Sequence, residues 1–213
     1  MGEGNKILEF DSRQEIKPCT ECTYLGTKID QFGDNTTEIK HRISQTRKAI
    51  NALNSIWWHK NITKNRKLYI YHTIILSILV YGAEVWQIHT REINKILSTE
   101  MDVLRRWTRK WRMEGITNEH IKEIIRLKGK PDIIHIIEKK RLHWYGHIKR
   151  MPEERAPTLI MEWIPLERRK RGRPRKTCIG GVQATMTTRN LDPDQCRNRE
   201  EWRLVSRKRW QLL

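Results

Sequence analysis

The sequence predicts a mainly α protein: a short N-terminal β-hairpin, then a helical bundle, a second small helical region and a flexible basic arm. Three observations carry this. Apolar residues recur at spacings of three and four from Ile39 onward, the first segment alternates instead, and one nine-residue stretch is almost entirely cationic.

The first elements read as strands. "KILEF" and "TYLGTKI" are short, partly alternating runs separated by polar residues and Pro18, two strands that would suit a hairpin, and "DQFGDNTT" follows as a turn. Ile39, Ile43, Thr46, Ile50, Leu53 and Trp57 then form one helical stripe, with Lys40, Arg42, Arg47 and Lys48 on the opposite face. Asn35 followed by Glu38 has the form of a capping box. A second helix is expected over 65–81 on Leu68, Tyr71, Ile74, Ile75, Ile78 and Leu79, loosened or ended by Gly82. A third spans 92–111 on Ile93, Ile96, Leu97, Leu104, Trp107 and Trp111. A fourth covers 118–127, closed by Gly129 and Pro131.

The fifth helix, 132–151, turns Ile133, Ile136, Ile137, Trp144 and Ile148 to a core and lets Arg141, Lys149 and Arg150 reach outward. Gly146 inside it costs about 1 kcal/mol relative to alanine, which points to close packing or a kink. Beyond Pro152 periodicity fades, apart from an apolar run near Leu159 to Ile164. "RRKRGRPRK" holds seven cations in nine residues: Arg168, Arg169, Lys170, Arg171, Arg173, Arg175 and Lys176. Like charges this dense repel, and Gly172 and Pro174 oppose a helix, so the segment is expected to be extended and flexible. Helical pattern returns over 177–188 and from Asp192, which with Pro193 makes an N-cap and first-turn pair; Trp202, Val205 and Trp210 line that last helix.

Composition bounds the partner. Among 213 residues, 43 Lys and Arg stand against 25 Asp and Glu, a net charge of +18. A surplus of this size suits nucleic acid or an acidic membrane face. The longest apolar run, Ile74 to Val80, is far too short to span a bilayer, and the N-terminus has no signal or transit pattern, so a nuclear or cytoplasmic protein without membrane contact is expected. Cys19 and Cys22 have the spacing of half a zinc site, but no second half follows, and they read as half-buried strand cysteines. His143 and His147 share a helix face that His135 would have to complete as a metal site; cationic neighbours disfavour that reading. No nucleophile elbow, phosphate-cradling loop, metalloprotease motif or paired carboxylates are present, so no enzyme activity, cofactor, metal or small-molecule substrate is expected of this chain alone.

The basic arm contains the Arg-Gly-Arg-Pro core of an AT-hook. Gly172 would let the backbone lie deep in a narrow minor groove while Arg171 and Arg173 extend along its floor. A nuclear-localisation signal or a nonspecific phosphate clamp needs the same residues, and general nucleic-acid contact is the broader reading. Nine tryptophans against two phenylalanines is also unusual. Trp57, Trp107 and Trp144 fall on apolar faces; Trp58, Trp111 and Trp163 are less constrained and, where exposed, offer stacking surfaces for unpaired bases.

Taken in order, "YLGTKI", "EIKHRISQTRKAINAL", "YIYHTIILSILVYGAEVW", "RLHWYGHIKRM" and "RGRPRK" resemble the C-terminal part of the reverse transcriptase of LINE-like, non-LTR retrotransposons, over about residues 20 to 205. The resemblance implies that Tyr24, Leu25 and Gly26 match the primer-grip hairpin at the end of the palm, which positions the primer 3′ end. It implies a remnant of the palm over 1–33, a thumb-like bundle over 34–112 that holds a template–primer duplex, and a C-terminal helical extension over 113–152. A Pro/Arg-rich basic linker over 153–176 and C-terminal helices over 177–213 complete it. Arg42, Arg47, Lys48, Arg141, Lys149 and Arg150 would contact phosphates, joined by the arm. The family's catalytic carboxylates and endonuclease lie upstream of the primer grip and are not in this chain, and Cys178 stands near where the family often has tryptophan after the arm. The chain is thus expected to be a nucleic-acid-binding thumb and C-terminal fragment that does not polymerise by itself. The alternative is a host nuclear DNA-binding protein whose AT-hook-like arm tethers a helical interaction bundle.

Overall fold

A computed structural model describes residues 8–9, 15–16, 19–127, 129–162 and 178–207. The fold is mainly helical, with short strands only at the N-terminus. Strand β1 (Leu8–Glu9) pairs antiparallel with β2 (Glu15–Ile16), and β3 (Glu21–Tyr24) with β4 (Thr27–Asp30). The two runs read as partners in the sequence therefore belong to separate hairpins. "TYLGTKI" is not one strand; it folds back on itself, with Tyr24 opposite Thr27 and a two-residue loop between them. Leu25 and Gly26 both have positive φ, +47° and +78°, the signature of a tight type I′ turn whose twist matches the flanking strands.

Helix α1 (Thr36–Ala52) buries the predicted stripe of Ile39, Ile43, Thr46 and Ile50. Its N-cap is Asn35 without the capping box. Asn35 Oδ1 instead accepts from Gln87 N at 2.9 Å, and the Glu38 carboxylate accepts from Lys28 N at 2.7 Å. Tertiary partners outcompete the local cap. A short α2 (Asn54–Trp58) continues the stripe to buried Trp57.

The second predicted helix runs unbroken as α3 (Lys64–Ile70), a π segment (Tyr71–Leu76) and α4 (Ser77–Leu79). The wider π turn shifts the register of the buried face. Tyr71, Ile75, Leu76 and Leu79 are buried, while Ile74, expected inside, is an exposed side chain. Gly82, at φ +69°, ends the run, and a 3₁₀ turn (Ala83–Val85) leads to fully buried Trp86.

Helix α5 (Thr90–Thr108) stops three residues before its expected end. Arg109 takes the left-handed conformation (φ +56°), with Arg109 N donating to Arg106 O and Lys110 N to Arg105 O. Helix α6 (Asn118–Ile125), capped by Thr117, closes the same way on Arg126 (φ +64°) rather than on Gly129. Helix α7 (Ile133–Lys149) is capped by Asp132, whose carboxylate accepts from His135 N at 2.8 Å. Within the segment expected as a Pro/Arg-rich basic linker, Ala156–Glu162 forms a helix, α8, whose Met161, in the apolar run noted there, is buried. Helices α9 (Cys178–Thr188) and α10 (Arg199–Val205) follow, joined by a 3₁₀ turn (Pro193–Arg197) capped by Asp192.

Helix α7 serves two cores. Its first half places Ile133 and Ile137 in a cluster with α1 to α6, including Trp57, Trp86, Ile96, Leu104 and Trp107. Its second half places Leu142, Tyr145 and Ile148 in another, with Met161, Val182, Met186, Cys196 and Trp202. Gly146 is explained by this second packing. A Cβ there would lie 2.3 Å from Trp202 Nε1 and 2.5 Å from its Cδ1, and the indole donates to Leu142 O at 2.8 Å. The glycine marks close approach. Trp144, expected in a core, is only partly buried against this cluster.

Candidate nucleic-acid interface

Two surfaces gather some of the residues singled out in the sequence. The first is the β3–β4 tip. Tyr24 and Leu25 are exposed there, Leu25 at 76%, although a leucine with positive φ is strained. The tip is held from behind. Tyr81 OH donates to Leu25 O at 2.8 Å, Arg42 Nη2 donates to Gly26 O, and the Arg42 guanidinium lies 4.3 Å over the Tyr81 ring. Arg42 also pairs with Glu38, whose side chain is fully buried. The result is a rigid apolar point backed by a buried ion pair.

The second surface is a groove of about 1100 Å³ along α5. Arg47 comes from α1, Asn54 and Trp58 from α2, Asn94, Ser98, Asp102, Arg105 and Arg106 from α5, and Lys110, Trp111 and Arg112 from the segment after it. Five cations thus line it against one carboxylate, Asp102, which pairs with Arg106 at 3.2 Å. Arg105 Nη2 donates to Ile116 O at 2.8 Å and Asn118 Oδ1 at 3.1 Å, tying the segment after α5 to the groove wall. Glu114 accepts from Trp111 N and Lys110 Nζ, at 2.7 and 3.0 Å, and these bonds to its charged form hold its carboxyl below the usual range.

The left-handed turn at Arg109 builds this surface. A helix continuing through Trp111 would carry that ring along the apolar stripe; the reversal sends it back beside Trp58, with ring centroids 5.4 Å apart and planes tilted by 39°. Trp111 stays 64% exposed. An arginine at positive φ costs about 1 kcal/mol that a glycine avoids. Arg109→Gly is therefore expected to raise the melting temperature by about 2–4 °C with the groove intact, checked by thermal unfolding; a fall would mean that the Arg109 side chain contributes more than its backbone conformation costs.

The predicted cations divide between surface and interior. Arg47 and Lys48 are exposed on α1. Arg42, Arg141 and Arg150, expected to reach outward, donate into the protein instead. Arg42 holds the hairpin, Arg141 Nη2 donates to Trp86 O at 2.7 Å, and Arg150 Nη1 donates to Cys196 O at 2.7 Å. Each meets a backbone carbonyl distant in sequence, buried at Trp86 and Cys196 and exposed at Gly26, that helical spacing alone does not reveal. Lys149 is half-buried at the end of α7. Arg168 to Lys176 and Trp163 lie outside the described residues.

The metal readings separate spatially. His135 Nδ1 meets Arg189 at 3.0 Å, and His143 Nε2 meets Ser206 Oγ at 3.0 Å. Burial and four nearby cations, Lys139, Arg207, Arg203 and Arg150, push the His143 pKa below its ordinary value. Cys19 and Cys22 are exposed, not half-buried. Among the described residues no group of three or more His, Cys, Asp or Glu is placed to hold a metal ion, and no helix is long and apolar enough to cross a membrane.

Sequence reasoning missed Arg105, Arg106, Lys110, Arg112 and Asn54. The signal was present in "RRWTRKWR", residues 105–112, where five cations interleave with two tryptophans, a pattern suited to backbone and base contact at once. It was absorbed into the apolar stripe of α5. It also missed Arg189, buried yet bonded to Glu138 at 2.6 Å, which joins α9 to α7.

The chain is 27% identical over 217 residues to an uncharacterised transposon-derived protein of Caenorhabditis elegans, covering 92% of this chain and 74% of that one. This similarity supports a transposable-element origin. No protein-family model matches the chain. No solved structure matches it.

Proposed function

We propose that this chain of transposable-element origin is the nucleic-acid-binding thumb and C-terminal part of a non-LTR retrotransposon reverse transcriptase. It grips a template–primer duplex and does not polymerise by itself. One observation carries the reading: a single groove along α5 gathers five cations from three segments around one carboxylate. Ordinary surface solvation intersperses both signs; a polyanion site segregates them. The ordered motif set of the sequence and the transposon-derived relative support the same reading, as does a rigid apolar tip at Tyr24 and Leu25 suited to a primer end. The exposed phosphate contacts are Arg47, Lys48, Lys110 and Arg112, with Arg168 to Lys176 adding an arm.

Binding by several cations releases counterions, so affinity falls with salt. Four phosphate contacts predict roughly a hundredfold loss between 50 and 200 mM monovalent salt. The measurement is fluorescence anisotropy of a labelled RNA–DNA primer–template titrated with the full chain. Reversing Arg47 and Arg112 to glutamate is expected to flatten the salt slope by about two contacts. A wild-type affinity independent of salt would exclude the mechanism.

A further inference from the structure

We infer that the Trp58–Trp111 pair is a stacking platform for an unpaired base, so that the groove takes a single-stranded segment continuous with a duplex rather than duplex alone. The inference rests on the nucleic-acid reading and adds a substrate class to the same site.

Trp58 packs partly against the first core, whereas Trp111 does not. A tryptophan buried for packing belongs to one of the two cores, as Trp57, Trp86, Trp107 and Trp202 do. Trp111 belongs to neither and leaves most of its surface in water, 64% of it. Nor is it loosely held. Its backbone N–H donates to Glu114 Oε1 at 2.7 Å and its carbonyl accepts from Glu114 N at 3.2 Å. A 3₁₀ turn (Arg112–Glu114) closes on Gly115 at φ +67°. The ring beneath is fixed too. Trp58 Nε1 donates to Asn54 Oδ1 at 3.2 Å, and the same oxygen accepts from Arg106 Nη1 at 3.0 Å. Two indoles are thus set at a fixed tilt, one presenting itself to solvent, with the ordering entropy already lost before any ligand arrives.

The surroundings select the ligand. Beside the two indoles, Leu97 and Met101, the groove carries Arg47, Arg105, Arg106, Lys110 and Arg112 against Asp102, so it fits a ligand with a flat apolar part and an anionic one. Arg105 Nη1 is buried in the wall with no acceptor among the described residues. A π face flanked by cations fits a nucleobase with its phosphates, and stacking tolerates any base because each has a π face. Inside a duplex the bases are stacked on one another and do not reach the platform; a blunt end offers only the face of its terminal pair. A primer–template junction, an overhang or a single strand can use the platform.

The test compares Trp111→Ala and Trp111→Tyr with wild type in the full chain, on three probes: a blunt duplex, the same duplex with a six-nucleotide thymidine overhang, and the thymidine single strand. Trp111 is exposed, so the variants should melt as wild type does. Expected are about a tenfold weaker binding of overhang and single strand by Trp111→Ala, an unchanged affinity for blunt duplex, and recovery of most of the loss in Trp111→Tyr. Equal affinity of wild type and Trp111→Ala for all three probes overturns the platform and leaves the nucleic-acid reading standing. An equal loss on all three, without recovery by tyrosine, also overturns it, since the ring would then only shape the groove. Failure of the wild-type chain to bind any probe overturns both.

Discussion

Arg42→Ala is expected to destabilise the protein by about 3–5 kcal/mol. Glu38 lies in the first turn of that helix with its side chain fully buried, and Arg42, 11% exposed, is its charged partner one turn on. Removing Arg42 leaves a buried carboxylate held by one backbone donor, Lys28 N. The same substitution takes the Gly26 carbonyl's hydrogen bond and the cation above Tyr81, so the strained tip at Leu25 loses most of its backing. Two measurements check this. Chemical denaturation should show the lost stability, and amide exchange should accelerate in the β3–β4 hairpin before the rest of the bundle. Pairing Arg42→Met with Glu38→Gln should recover a large part of the loss, because the uncompensated charge rather than the missing attraction dominates it. A cost below about 1 kcal/mol for Arg42→Ala would place the pair among ordinary surface ion pairs and remove the hairpin's anchor from this account.

Gly146→Ala reverses the usual sign of a helix substitution. In an exposed helix interior the change stabilises by about 1 kcal/mol. Here the added methyl would meet Trp202 at 2.3 Å, and the indole cannot yield easily: it is 2% exposed and bonded to Leu142 O. The Arg150 guanidinium, 3.1 Å from the same point, closes the other side. Overpacking of this kind costs about 1–3 kcal/mol, roughly 3–10 °C in melting temperature for a chain of this size. The damage should stay in the second core, where α7, α9 and α10 meet. Combining Gly146→Ala with Trp202→Ala, which removes the clashing ring, should cost less than the sum of the two single changes. Strict additivity would show that the contact does not limit the packing.

Arg42 was expected at a phosphate and instead holds the hairpin, while Gly146 was expected to mark close packing or a kink and marks close packing. The stripe of Ile39, Ile43, Thr46 and Ile50 was readable because helical periodicity acts over one turn, and the core merely accepts it. The same holds for the cap at Asp192, whose partner lies two residues away. Asn35 failed as a capping-box residue because Gln87, distant in sequence, offered its side chain a better partner. Arg42, Arg141 and Arg150 read as surface cations for a parallel reason: each meets a carbonyl at least sixteen positions away. Of the five cations that line the candidate groove only Arg47 was legible as charge; Lys48, named with it, lies outside that lining. The segment after α5 was hidden by one backbone angle at Arg109, which no periodicity encodes.

The sequence by itself determined a helical protein, the stripes its helices bury and a large positive excess, since these follow from local spacing and composition. Only the tertiary structure decided which cations face a shared groove, which are drawn inside by buried acceptors, and that Trp111 swings back to meet Trp58. Those outcomes depend on contacts between segments far apart in the chain, where the free energy of satisfying a buried polar atom exceeds any preference written in neighbouring residues.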